Sequence, residues 1–450
     1  MGFLPVDEDE RSAMLRAIGA GSFADLLADI PESLRLGRPL GLPGPVSELE
    51  ARACLRSLAS SNASCETYAC FVGGGAYDHY VPSVVDEISS RPEFYTAYTP
   101  YQPEISQGTL QTIYEFQSLI ARLTGMEISN ASLYDGGTAL AEAVLMARAI
   151  NGRSEVVVSG CVNPSKAAVL ATYLKAAGTG IKMASRKGGS TDPEEIRSLV
   201  TGGTSCVVLE NPNFFGGIEE CAAIGQICKT SGALFVVSVD PVSLGVLAAP
   251  SEYGADIVVG EGQGLGNYLN YGGPYLGFMA THKAHIRRLP GRIVGKTLDS
   301  AGRPCFCLTL QTREQHIRRE KATSNICTNE ALVALRAAVY LCWLGKQGLR
   351  EIGEICLSKA SYAEKALASR GIRREFSGPY FKEFAVHAPV GAEGIVRALA
   401  RRRLLAGLPL GRFYPELENS LLVAFTEKRT RAEIDLLAES LGDIVARQAV

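Results

Sequence analysis

From about residue 109 to residue 282 the chain alternates short apolar runs with stretches of helical period, and this feature constrains its fold more than any other. The runs are Glu155-Val-Val-Val-Ser, Ile181-Lys-Met-Ala, Cys206-Val-Val-Leu, Leu234-Phe-Val-Val-Ser-Val, Asp256-Ile-Val-Val and Tyr275-Leu-Gly-Phe-Met. They lack the in–out alternation of a strand with one wet face. Each therefore predicts a strand buried on both faces, as in a parallel sheet covered by helices. Helical stretches over 138–151, 164–178 and 219–231 supply the cover. The alternation predicts a doubly wound, largely parallel α/β sheet, with ligands bound beyond the carboxyl ends of its strands.

Residues 1–65 read as a helical arm. Ser22-Phe-Ala-Asp-Leu-Leu and Ser47-Glu-Leu-Glu-Ala each begin with a capping serine, and the Pro- and Gly-rich stretch 38–45 between them is extended or turn. Such an arm needs a body or a partner to lie on. Residues 66–325 form the large α/β domain of this reading. Residues 326–450 form a smaller α+β domain, helix-rich, with short strands at Glu383-Phe-Ala-Val-His and Leu421-Leu-Val-Ala-Phe. No internal repeat or low-complexity segment is visible.

Charge excludes several classes. The 45 basic and 47 acidic residues leave a net −2, which argues against a nucleic-acid binder and against a polybasic membrane binder. The most apolar stretch, 331–344, is interrupted by Arg336 and falls short of the roughly 18 residues of a membrane span. The acidic N-terminus has no basic region followed by an apolar run, so a cytoplasmic location is expected. Twelve cysteines are scattered without a C-x-x-C, the closest pairs being Cys305/Cys307 and Cys65/Cys70, and reduced, mostly buried thiols are expected. The five histidines show no zinc-like spacing, and no metal is assigned.

Two phosphate-loop look-alikes fail. Gly291-Arg-Ile-Val-Gly-Lys-Thr lacks the leading glycine, because Pro290 stands there. Gly260-Glu-Gly-Gln-Gly-Leu-Gly does not satisfy G-x-G-x-x-G, and Glu261 is a poor neighbour for a pyrophosphate.

A third constellation is nearly complete for pyridoxal phosphate. Asp135, Gly136, Gly137 and Thr138 lead into a helix whose first N–H groups can hold a phosphate. Asp240 follows the run 234–239, where a carboxylate can pair with a protonated ring nitrogen. The Schiff-base lysine due after the next strand is missing: the chain there reads Gly260-Glu-Gly-Gln-Gly, and the nearest downstream lysine is Lys283. Each feature also has an ordinary structural reading, as a helix entry or a strand-to-turn ending.

Longer motifs carry a resemblance. Residues 93–108 (Glu93-Phe-Tyr-Thr-Ala-Tyr-Thr-Pro-Tyr-Gln-Pro-Glu-Ile-Ser-Gln-Gly) closely resemble a stretch of the glycine cleavage system P-protein family. Residues 130–139, 254–263, 271–277 and 312–328 resemble it too, and the likeness runs over essentially the whole chain at the length of an N-terminal half. It implies a fold type I architecture of the pyridoxal-phosphate-dependent transferases. It further implies the alpha subunit of a two-chain glycine decarboxylase, with lysine and cofactor in the beta subunit. The reaction implied is decarboxylation of glycine, with release of CO2 and transfer of the aminomethyl group to the lipoyl arm of the H-protein. Gln263 stands about where the cofactor-binding half has its lysine, and an amide cannot form an imine. No cofactor is expected on this chain, and no catalytic residue in this chain alone.

Three segments remain as candidates. Tyr95, Tyr98, Tyr101, Gln102 and Glu104, in the 95–107 loop stiffened by Pro100 and Pro103, suit either the wall of a pocket shared with a partner or interface packing. Gly73-Gly74-Gly75 with Tyr77, Asp78 and His79 permits close backbone approach, and a histidine there reads more readily as structural than as a general base. Arg313, His316, Arg318, Arg319 and Lys321 read as a solvated helix face or as a docking patch for an acidic partner. Two other functions stay open: an independent cofactor enzyme using a displaced lysine such as Lys283, and a purely structural or regulatory scaffold.

Overall fold

The apolar runs form a seven-stranded sheet whose residues alternate between two hydrophobic layers. In the computed structural model, which describes residues 6–322, 324–388 and 391–448, its strands are β1 (Ile128–Ser129), β2 (Glu155–Val158), β3 (Gly180–Met183), β4 (Thr204–Asn211), β5 (Leu234–Val239), β6 (Ile257–Glu261) and β7 (Gly277–Thr281). The order across the sheet is β1-β7-β6-β5-β4-β2-β3. From β3 to β6 neighbouring strands are parallel, and β7 is antiparallel to both β6 and β1. Val157, Val207, Val237 and Val258 enter one core, whereas Val156, Val208, Val236 and Val259 enter the other. Two-sided burial is why the runs of β2, β4, β5, β6 and β7 carry no polar alternation, whereas β3, expected to be buried on both faces, lies at the sheet edge and has only half-buried and exposed residues.

Helices cover both faces. The first core takes α1 (Gln107–Thr124), α5 (Cys221–Ser231) and the front of α6 (Ala331–Ala368). The second takes α2 (Gly136–Asn151) and α3 (Pro164–Ala176); a short helix α4 (Pro193–Leu199) precedes β4. Each fully buried Val or Leu contributes about 1.5–3 kcal/mol, so the two layers dominate the stability of the sheet. α6 bends at Gly345, whose φ of 61° and ψ of −173° only glycine adopts readily. Its second half joins a third core with β10 (Glu383–His387), β11 (Ser420–Ala424) and α7 (Arg431–Gln448). β10 and β11 pair antiparallel. The look-alike phosphate loop at 291–297 is instead part of β8 (Ile293–Leu298), paired with β9 (Pro304–Thr309) in an antiparallel hairpin.

By backbone contacts the chain divides after Asn62. The first unit holds a helix at Glu8–Ala17, capped by Asp7, and one at Glu48–Ser60, capped by Ser47, joined by short 3-10 turns; none of these elements has a buried residue. All twelve cysteines are free thiols. Six of them are buried, fewer than expected, because Cys54, Cys327 and Cys342 lie on exposed helix or loop positions.

Candidate functional site

The carboxyl ends of β4, β5 and β6 meet the 73–80 segment, and here the sequence-marked residues converge. Gly73 and Gly74 lie against Glu383 of β10, and Gly75 lies against Asn163. A Cβ at Gly73 would sit 1.9 Å from Glu383, and Gly74 and Gly75 take φ of +81° and +113°, so larger residues cannot follow this path. The segment is clamped by the C-terminal part of the chain. Asp78 pairs with Lys428 (2.6 Å) and Arg429 (2.9 Å), and the Tyr80 N–H donates to Glu427.

Asp240 lines the cavity as expected, but it already has a partner. Lys382 Nζ lies 2.7 Å from its carboxylate, 2.8 Å from His79 Nε2 and 3.7 Å above the Tyr77 ring. An ammonium only donates, so the His79 Nε2 facing it accepts, and Nδ1 donates to Glu427 at 2.7 Å. Burial would raise the Glu427 carboxyl, but the His79 ring and the Tyr80 N–H more than reverse this and hold it at about 2. Glu383 accepts from the Gly74 N–H (2.7 Å) and the Tyr77 hydroxyl (3.0 Å), and burial pushes its carboxyl up to about 8. The Tyr77 hydroxyl is raised too, first by burial and then by the charge of Glu383. His79, Glu427 and the Cys356 thiol bring ligand atoms within 4.8 Å of one another. Hydrogen bonds already use both ring nitrogens of that histidine.

The start of α2 is also taken. The Glu261 carboxylate accepts from the N–H groups of Gly136 (2.9 Å), Gln263 (3.0 Å) and Leu276 (2.9 Å). Burial raises this carboxyl, against the N–H donors of Leu276 and Gly136. Asp135 and Thr138 are spent on capping the helix: the Thr138 N–H donates to Asp135 at 2.7 Å, and neither they nor Gly137 line the cavity. Gln263 is fully buried, accepting from the Tyr77 N–H (2.8 Å) and donating to the Tyr77 and Asn267 carbonyls. Behind these, Lys166 donates to Glu210 (2.6 Å) and Ser238 (3.1 Å).

The residues present do not fit pyridoxal phosphate. The cavity among Gly74, Tyr77, Lys166, Asp240, Glu261 and Glu383 measures about 20 Å³, room for a water, whereas ligand pockets run to about 300–1,000 Å³. A phosphate at the start of α2 would meet the Glu261 carboxylate that already takes the Gly136 N–H. The amine needed at position 263 is absent.

Other expectations separate from this site. Lys283 is exposed in a turn past the end of β7, and β7 runs antiparallel, so the lysine lies at the opposite edge of the sheet from the carboxyl ends of β4 to β6. That corrects the displaced-lysine alternative. The 95–107 segment is not wholly loop: Tyr95 ends a short helix, Pro92–Tyr95, and Gln107 begins α1. Tyr95 and Tyr98 are 67% and 83% exposed, and Gln102 and Glu104 are exposed too. The segment's base is fixed, because Gln107 both donates to and accepts from the Phe306 backbone and the Arg292 guanidinium lies 5.7 Å from the Tyr101 ring. The basic run is not one solvated helix face. Arg313 is half-buried and donates to the carbonyls of Leu289, Leu310 and Gly291, while His316 and Arg318 fall in a four-residue helix. The motif 312–328 includes Thr323, which lies outside the described residues.

Lys382, Glu383, Glu427 and Lys166 were not marked by sequence reasoning. Nothing in their local sequence distinguishes them from surface charges. No described helix is long and apolar enough to cross a membrane.

Comparison with known proteins places the chain in a family. Residues 1–441 match the family model of the glycine cleavage system P-protein. The chain is 53% identical over 444 residues to a probable glycine dehydrogenase (decarboxylating) subunit 1 of Chlorobium limicola, covering 98% of this chain and 100% of that one. It superposes with a TM-score of 0.91 and 45% identity on a crystal structure of glycine decarboxylase (P-protein) of the glycine cleavage system in inhibitor-bound form, covering 99% and 100% of the two chains. A sphingosine-1-phosphate lyase of Burkholderia pseudomallei, 14% identical over 93% of this chain and 94% of its own, shares the fold at a TM-score of 0.66. The architecture is that of the fold type I pyridoxal-phosphate-dependent enzymes, and the chain belongs to the glycine cleavage system P-protein family.

Proposed function

We propose that this chain is the alpha subunit of a two-chain glycine decarboxylase whose beta subunit carries pyridoxal phosphate. With that partner it would decarboxylate glycine, release CO2 and deliver the aminomethyl group to the lipoyl arm of the H-protein, in the cytoplasm. The observation that carries the reading is a full-length likeness to subunit 1 chains combined with a cofactor-like site filled by the chain's own side chains. We place the start of the smaller C-terminal domain within α6 rather than near residue 326, because the front of α6 packs on the sheet and its second half on β10 and β11.

The contribution of this chain to the reaction is the 95–107 segment. Tyr95, Tyr98, Tyr101, Gln102 and Glu104 would form one wall of the partner's pocket. Aromatic faces and polar ends on a fixed base can hold a small amino acid and exclude water from it.

Reconstitution tests the reading. The isolated chain should show no exchange of label between CO2 and glycine, and mixing with the beta subunit and H-protein should restore it. Exchange by this chain alone would overturn the proposal, as would full activity of the beta subunit without it.

A further inference from the structure

We propose that Glu261 and Lys382 reproduce within the protein the two charges of the cofactor the fold was built around, and so lock the site against it. This concerns the chain alone and does not depend on the proposed function. The fold offers two electrostatic seats at the carboxyl edge of its sheet. One is the start of α2, whose free N–H groups favour an anion. The other is Asp240 at the end of β5, which favours a cationic donor. A bound pyridoxal phosphate would fill the first with its phosphate and the second with its ring nitrogen.

Here the first seat holds the Glu261 carboxylate, which takes the Gly136 N–H at 2.9 Å along with two further N–H donors from Gln263 and Leu276. The second holds the Lys382 ammonium, 2.7 Å from Asp240 and 2% exposed. Both occupants carry the sign their seat demands, Lys382 fully buried and Glu261 half-buried with its carboxylate held by three N–H groups, as is required where an unpaired group would be penalised. Gln263 completes the closure: its amide spans the Tyr77 backbone and the Asn267 carbonyl, binding the 73–80 segment over the site. Loss of the lysine at position 263 is therefore one of three changes, and the amine alone cannot restore binding.

The test uses the full chain and pyridoxal phosphate as probe. In a variant with an amine at position 263, that amine would condense with the cofactor aldehyde, forming one C=N bond and releasing one water. Borohydride then adds hydride to the carbon and fixes the adduct for peptide mass analysis. Gln263→Lys alone should give only background adduct at that position, the level seen for exposed lysines elsewhere in the chain being the reference. Glu261→Ala/Gln263→Lys/Lys382→Ala, checked for folding by circular dichroism, should raise it at least about tenfold, the scale on which a seat is open or closed. Equal trapping in the single and triple variants overturns the proposal, and so does a folded triple variant that traps nothing. If the triple variant does not fold, Glu261→Ala decides with inorganic phosphate as probe. Its melting temperature should rise by about 2–4 °C in phosphate while that of the wild type stays level. An equal response of the two proteins overturns the proposal.

Discussion

The filled site and the 95–107 segment are built on opposite principles. In the site every charge has a partner within the chain: Lys382 with Asp240, Lys166 with Glu210, Glu261 with three N–H groups. The segment instead presents Tyr98 at 83% exposure and Tyr95 at 67%, with polar residues beside them and only its base anchored. A buried charge without a partner is heavily penalised, so each charge at this site needs a partner from the chain itself. An exposed aromatic carries no such penalty and can be held ready for another surface. The difference separates what this chain has internalised from what it offers outward.

Breaking the interior should have the largest effect. Lys382→Met leaves Asp240, whose side chain is only 14% exposed, without a counter-charge and should lower unfolding stability by about 3–5 kcal/mol in denaturant titration. The double variant Asp240→Asn/Lys382→Met should recover most of the loss, since neither charge then remains. A single variant as stable as wild type would mean that water reaches Asp240.

The segment should respond in activity. In the assembled enzyme Tyr98→Phe and Glu104→Gln should each reduce turnover about ten- to a thousandfold, with sedimentation showing intact assembly. If these residues only pack at the interface, assembly weakens by about 1–3 kcal/mol instead and turnover per complex is unchanged.

A pH-dependent effect, visible only as a slope, also distinguishes the interior. The Glu383 carboxyl is raised from 4.5 to about 8, chiefly by burial. The folded chain then binds this proton more tightly than the unfolded chain does. Its contribution is fully present below 4.5, falls by about 1.4 kcal/mol per pH unit as pH rises toward 8, and is level above that. Glu383→Gln should flatten this part of the stability profile, measured by denaturant titration between pH 5 and 8. An unchanged slope would show that another group sets it. The smallest effect is expected at Lys283, exposed and remote from both regions: Lys283→Met should stay within about 0.5 kcal/mol of wild-type stability and leave the activity of the assembled enzyme unaltered.

Much of the framework was legible in the sequence. Unbroken β-branched runs specify two-sided burial because apolar period is a local property of the chain, and β2, β5 and β6 lie within two residues of where they were expected. The glycines and Asp240 marked the site, because helix starts and strand ends carry local chemistry. The missing lysine was visible at Gln263 for the same reason.

What occupies the site instead was not legible. Lys382, Glu383 and Glu427 reach it from the C-terminal part of the chain, on a strand and loops whose sequences read like any other charged surface. Nor could the sequence place Lys283, because its position depends on the antiparallel direction of β7, settled by pairing with β6 and β1. Burial and strand direction are properties of the assembled fold. By itself, then, the sequence determined the layers, the strand ends and the absence of an amine. Only the tertiary structure decided which distant charges meet there, since an ion pair forms wherever packing leaves two groups no other solvent.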